Sequence, residues 1–457
     1  MKLKEFDFKL PSEDKRKKKI MLTGVSMIVI ILIITIASTF AYYQSITLQN
    51  PVNSEVGSFS NGDIIFAVTI GGTPSQTFPT KGSGYVANTV TCDKGATGVW
   101  NNDLWNVKVG NLTQSKTTCN INFISEANTL NYKILSQFGG KDTIVEAPIS
   151  TFASASASNE KKMYKMEDDY GISYYYRGAQ NLLNNNLIFA GFQWKIVRIN
   201  GDSTIRIIYN GTEEQFNQSG SVNTIGVNTQ IGTATFNVDR HDNKYVGYMY
   251  GGSAGSASTS RAQAATNQTN SNAKSQLDVW YINNILSQEA SVTSKLTDRI
   301  FCNDRRLQSE VGGSSTGLGY GTSVTSYAVY YRLVTNKTPT LKCGNKNDMF
   351  SVSESAKGNG ALTYPIGLIT ADEASLAGGV RGVLNSSYYL FTNQDFWTFS
   401  PSDLNSYFAD IFNISATNGH LNYNGVDNLF GLRPYITLES NHQVTGDGSA
   451  SNPFKVI

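Results

Sequence analysis

Asn393-Gln394-Asp395-Phe396-Trp397-Thr398-Phe399-Ser400-Pro401 and, further on, Phe430-Gly431-Leu432-Arg433-Pro434 bracket the stretch that decides the fold. Each reads as a strand, with Phe396, Phe399, Leu432 and Ile436 facing inward. The chain between them leaves the core and returns. Asn418-Gly419 separates the runs 407–414 and 420–424, and because Asn and Gly both take φ > 0 cheaply, a tight hairpin is expected there. Around this excursion cluster Asp395, Asp403, Asn405, His420, Asn422, Tyr423, Asn424 and Asp427. These eight are the candidate ligand-binding surface, short polar side chains displayed on a rigid base.

The 457 residues are enough for two or three domains with cores of their own. With 40% hydrophobic, 11% aromatic and only 16% charged residues, the chain is a folded, weakly charged protein. Gly is abundant (41) and Pro scarce (10), and Asn, Ser and Thr punctuate the apolar runs, a pattern of short turns and β-rich architecture. Residues 1–19 hold eight Lys or Arg against four acids, leaving 29 basic and 31 acidic side chains beyond them. No basic field exists outside the tail, which argues against nucleic acid as a partner.

Behind Lys15-Arg16-Lys17-Lys18-Lys19 comes an uncharged run, 20–43, dense in Ile, Val, Leu and Met. At about 1.5 Å per residue it crosses a hydrocarbon core about 30 Å thick. The basic block places the N-terminus in the cytoplasm and residues 44–457 outside. The run exceeds a secretory h-region, so an uncleaved single-pass anchor is the favoured reading over a signal segment cleaved after Ala41. Ser38-Thr39-Phe40-Ala41-Tyr42-Tyr43 is similar to the export segments of camelysin/TasA-type surface proteins of Gram-positive bacteria. That resemblance implies cleavage, and with it secretion.

Four cysteines allow three pairings. A domain boundary near residue 150 divides them into Cys92–Cys119 and Cys302–Cys343, bonds that an oxidising exterior preserves. No Cys-x-x-Cys occurs and His241, His420 and His442 are scattered, so no zinc site is expected. The organisation read along the chain is a cytoplasmic tail (1–19), the anchor (20–43), a small β-sandwich-like domain (44–126), a helix with a Ser/Ala-rich linker (127–162) and an α+β domain (163–457). In the sandwich, Trp100 and Trp105 are core residues, with a carbohydrate platform as the alternative. Helices are expected around 130–138, 277–285 and 292–300, and after Thr370, where Thr370 and Glu373 form a capping box. Strands are expected at 192–199 and 204–209, joined by Asn200-Gly201, and at 327–333, 362–369 and 433–439. Residues 251–272 read as a long exposed loop. Glu167, Asp168 and Asp169 form a solvated loop, or alternatively bind calcium or act as acid and base.

Residues 163–457 resemble the superfamily joining C-type-lectin-like domains with formylglycine-generating-enzyme (sulfatase-modifying-factor) domains, as found in surface proteins of low-GC Gram-positive bacteria. The carrying residues are Trp194-Lys195-Ile196-Val197-Arg198, 364–373, Phe396-Trp397-Thr398-Phe399-Ser400-Pro401 and Gly431-Leu432-Arg433-Pro434. The resemblance implies two helices packed on twisted antiparallel sheets, with ligands met by the irregular surface before the last strands. The lectin calcium signatures Glu-Pro-Asn and Trp-Asn-Asp are absent, so no cofactor is expected and a structural calcium has no motif to hold it. The enzyme's late cysteine pair is absent too, since no cysteine follows Cys343. The function expected is therefore recognition of an extracellular glycan or protein ligand without catalysis. A subunit of a surface layer or fibre is one alternative, and an enzyme using a carboxylate pair drawn from Asp168, Asp169, Asp395 and Asp403 is the other. Trp397 and Arg433 are read as structural ties.

Overall fold

The computed structural model describes residues 45–47, 64–102, 104–112, 116–154, 156–314 and 317–457. The tail, the anchor 20–43, the cleavage position Ala41 and most of the stalk lie outside these residues. Among the described residues no helix is long and apolar enough to cross a membrane. The chain divides into two compact units, Met1–Glu126 and Ala127–Ile457.

The smaller unit is built from two sheets. One has the order Thr73–Ser75, Ile64–Ile70, Thr117–Ser125, Tyr85–Cys92, and the other Ser45–Thr47, Asn106–Gly110, Thr97–Asn101. Thr117–Ser125 alternates buried and less buried residues along most of its length, and Cys119, Ile121 and Phe123 join Ile64, Val68, Val107 and Val109 in one core drawn from both sheets. Period-two patterning thus yields the expected sandwich-like packing. Ile64–Ile70 runs parallel to Thr117–Ser125. Cys92 and Cys119 are register partners and are disulfide-bonded, their Cα atoms 4.0 Å apart. Trp100 packs on Trp105 and Phe123, with ring centroids 5.3 and 5.0 Å away, and both indoles, half-buried, pack against the core.

The larger unit is α+β. An eight-stranded sheet has Phe192–Ile199 at its centre, flanked by Ile205–Thr212 and Asn186–Phe189, with Tyr435–Leu438 beyond the former. Phe192–Ile199 is buried along almost its whole length, as expected of a central strand covered on both faces. A six-stranded sheet carries the deciding stretch, with Phe396–Leu404, Ala409–Ile414 and Leu421–Gly425 in antiparallel succession and Phe430–Gly431 on the other side of Phe396–Leu404. The two ends of that stretch are tied down by large polar side chains. Trp397 Nε1 donates to Ala234 O at 2.9 Å. Arg433, 1% exposed, donates to Tyr209 O, Leu390 O and Asn210 Oδ1 at 3.0 to 3.1 Å and lies 4.9 Å from the Phe396 ring centroid.

Several expectations are corrected by packing. Residues 127–162 do not link domains: Leu130–Ser136 forms the expected helix, and its Leu130 and Ile134, with Ile144 and Ala157, belong to the core of the larger unit. The run 327–333 folds as a helix, Ala328–Tyr330 continuing into a π-turn at Tyr331–Asn336. Its aromatic and β-branched content mimics a strand, and tertiary packing overrides it. Helix is confined to Ala290–Thr293 within 292–300, and 362–369 contributes only an isolated bridge, Gly367 to Tyr435. The capping box is present, with Thr370 accepting from the Glu373 amide and Ala371–Ala377 helical. The helix expected at 277–285 is Asn272–Tyr281 with a π-turn through Leu286. Cys302 and Cys343 are bonded across 41 residues.

Candidate binding site

The strand period decides which of the eight candidate residues meet. In the hairpin, Asp410 and Phe412 stand opposite Gly425 and Tyr423, while Ile411 and Asn413 stand opposite Asn424 and Asn422. Successive side chains point to opposite faces. Tyr423 therefore shares a face with Phe412, their rings 5.8 Å apart, and Asn422 and Asn424 share the other with Asn413. Asn413 Oδ1 accepts from Asn424 Nδ2 at 2.9 Å. Asp395 belongs with this second group, its Oδ1 accepting from Asn413 Nδ2 at 3.4 Å and from the Ala416 amide at 3.1 Å. Asp395, Asn413 and Asn424 thus form a hydrogen-bonded ladder, with Asn422 on the same face, and the single surface read from the sequence is split in two.

Four of the others, Asp403, Asn405, Tyr423 and Asp427, lie toward the Asp410–Gly425 end of the hairpin, around a residue the sequence reading missed, while His420 follows the turn at the opposite end. Asp403 is the register partner of Asp410, which is 5% exposed. Burial, the charge of Asp403 and a hydrogen bond to Asp403 push Asp410 up to about 8. Burial also raises Asp403. Two carboxyls this close do not both ionise at neutral pH. The pair shares one proton at neutral pH, in a hydrogen bond between Asp403 and Asp410. Ser402 Oγ donates to Asp403 Oδ2 at 2.7 Å and Asn405 Nδ2 to Asp410 Oδ2 at 2.8 Å. Asn405 Oδ1 also accepts the amides of Tyr407 and Phe408 at 2.8 and 2.9 Å. This side-chain turn presents Tyr407 to solvent, 71% exposed.

Aromatic rings and guanidinium groups frame the pair. Tyr330 hydrogen-bonds Tyr423 and feels the Asp403 charge, and its ring lies 5.7 Å from that of Tyr423. Arg381 sits over the Tyr423 ring, 4.8 Å from its centroid. Burial, aided by Arg381, lowers the pKa of His420. On the other flank Arg240 Nη1 reaches Asp427 Oδ2 at 2.6 Å while its guanidinium lies 4.2 Å from the Phe408 ring centroid. Stacked arginines and tyrosines beside a one-proton carboxyl pair offer ring faces, donors and acceptors together, a combination suited to non-covalent recognition. Asp410 carried a signal in the sequence, a lone carboxylate in the apolar run Phe408-Ala409-Asp410-Ile411-Phe412. Tyr330 and Arg381 come from remote segments and carried none.

The acidic run 167–169 is not a solvated loop as a whole. Asp168, 3% exposed, accepts from Tyr170 N at 2.7 Å, from Gly201 N at 3.1 Å and from Arg198 Nη1 at 2.7 Å. Arg198 Nε reaches on to Glu373 at 2.7 Å, which also accepts from Tyr435 Oη at 2.8 Å. Glu373 therefore serves a buried ion network as well as its capping box. Glu167 pairs with Lys342 at 2.9 Å, and Asp169 accepts from Cys343 N at 2.9 Å. Among the described residues no group of three or more His, Cys, Asp or Glu is arranged to hold a metal. The chain matches no family model, no curated protein and no solved structure.

Proposed function

We propose that this is a surface protein anchored through 20–43, with residues 44–457 outside the cytoplasm, that binds an extracellular glycan or protein without covalent chemistry. The contact region is the corner formed by Asp403, Asn405, Tyr407, Asp410, Tyr423 and Arg381. One observation carries the reading: a one-proton carboxyl pair in direct register lies beside an arginine-covered tyrosine and an exposed one. Tyr407 is exposed and Asp403, Asn405, Tyr423 and Arg381 are half-buried, so part of the corner meets solvent. Two disulfides support an oxidising exterior. The larger unit is read as a C-type-lectin-like or formylglycine-generating-enzyme-like scaffold. What supports that is the structural use of Trp397 and Arg433, the residues of the resembling motifs that fasten the strands around the excursion.

The test is a glycan and cell-surface binding screen of the full chain in detergent, beside Tyr423→Ala and Asp403→Asn and, as control, the double variant Asn422→Ala/Asn424→Ala. Binding is expected for the parent and the control, with a loss of about tenfold or more for the first two variants. Equal loss in the control, or none in the first two, removes the corner from the account.

A further inference from the structure

A cavity of ≈ 40 Å³ lies in the larger unit, away from the hairpin, with Asp169, Tyr170, Arg206, Arg332 and Ser400 among its lining residues. Its walls are rich in charge, and almost all of that charge is spent. Arg198 binds Asp168 and Glu373, each at 2.7 Å. Arg332 binds Asp304 at 2.8 Å and Asp372 at 2.9 Å, and Asp304 also takes Arg306 at 2.8 Å. Among the described residues, Asp169 accepts only the Cys343 amide, and the one guanidinium of the lining without an ion pair is that of Arg206. It is 1% exposed and donates to Ile300 O through Nη2, but Nε and Nη1 have no protein partner. Its guanidinium is held in place by ring faces, 4.4 Å from the Phe301 centroid and 5.5 Å from that of Tyr435.

A buried guanidinium with two idle donors is costly unless an acceptor meets them. The neighbouring carboxylates do not: Glu373 accepts from Arg198, Tyr435 and Thr370, and Asp168 from Arg198, Tyr170 and Gly201. Asp168 and Glu373 nonetheless outnumber Arg198 by one charge, which favours Arg206 as a cation. Two hydroxyls in the same lining add donors. Tyr170 Oη accepts the Ile300 amide at 3.0 Å and Ser400 Oγ the Ala371 amide at 2.9 Å, so each keeps its proton for another acceptor. Burial holds Tyr170 protonated, pushed up to about 12. Lys357 Nζ and Arg299 lie 5.3 and 5.7 Å from the Tyr170 ring centroid.

We infer that this cavity binds the carboxylate group of a small ligand, with Arg206 as its charged anchor and the hydroxyls of Tyr170 and Ser400 as further donors. The volume suits a group of a few atoms. The charge selects a monoanion, because five carboxylates line the cavity (Asp168, Asp169, Asp304, Asp372, Glu373) and a dianion such as phosphate meets their repulsion. This site is independent of the hairpin corner.

Acetate is the probe. At constant ionic strength the full chain is titrated with sodium acetate, acetamide or sodium phosphate, reading thermal unfolding and the line width of [1-¹³C]acetate. Saturating acetate is expected to raise the melting temperature, acetamide and phosphate to do so far less, and the acetate line to broaden. Tyr170→Phe is expected to weaken the apparent affinity by about tenfold, and Arg206→Met to abolish the shift and the broadening. Should Arg206→Met fail to fold, the Tyr170→Phe comparison carries the test alone. A peptide with a free C-terminal carboxylate that competes with acetate assigns the group to the end of a larger molecule, and one that does not compete assigns it to a free small acid; either outcome supports the site. Absence of acetate binding, acetamide or phosphate binding as tightly as acetate, or acetate binding indifferent to both substitutions overturns the inference.

Discussion

Asp410 shows how one residue couples the proposed site to stability. Its folded value, about 8, lies well above the ordinary 3.8 of an unfolded chain. Between those values the folded state binds more protons than the unfolded one, so stability falls as pH rises and the loss is complete above about 8. Asp410→Asn keeps a donor toward Asp403 and an acceptor for Asn405 while removing the titration. Thermal melts should coincide for parent and variant near pH 4 and separate at pH 8.5, with the variant higher by roughly 3 °C or more. Parallel curves across that range contradict a shared proton. At this scale the sequence was half legible. Asp403, Asn405, Tyr423 and Asp427 were visible as polar residues in a hairpin, but which face each occupies depends on register, and the lone carboxylate of Asp410 gains its meaning only from the pairing with Asp403.

Turns and helix ends were the most legible elements, with a difference in detail. Gly419 takes φ +69 and closes the 409–425 hairpin, but Asn418 does not follow it into the left-handed region. Gly419 N donates to Ser415 O at 2.9 Å instead, giving a wider loop than the two-residue turn that Asn-Gly favours. At Asn200-Gly201 the left-handed residue is Ser203, φ 71. Gly201 is needed for another reason: a Cβ there lies 2.3 Å from the Gly171 amide nitrogen, where two backbones touch. Gly201→Ala is expected to cost about 1–3 kcal/mol in denaturant unfolding, and an unchanged midpoint contradicts that contact. The helix at 328–336 was illegible because its Tyr and Val content fits a strand equally well, and only packing chooses.

In the whole molecule, the division between the units falls after Glu126, whereas composition places a boundary near residue 150 and a change in texture at Met163, because the Ser/Ala-rich segment that reads as a linker packs into the larger unit, with Phe152 and Ala157 buried. Small residues read as flexible when they are alone and as close-packed when a partner is present, and sequence does not say which. The two units have separate cores, and each unit carries one disulfide. Replacing Cys302 and Cys343 by Ser should destabilise the larger unit by roughly 2–4 kcal/mol, and replacing Cys92 and Cys119 the smaller one by a similar amount, as read by calorimetry of the two transitions. A single transition shifted equally by both pairs contradicts separate cores.

Hydrogen exchange of the full chain with and without the ligand found in the binding screen tests the central proposal most directly. The account predicts new protection confined to 403–411 and 421–428, with Asn422 and Asn424 tolerating substitution. Protection confined to 64–125, or a screen that yields no ligand for a well-folded chain, contradicts it.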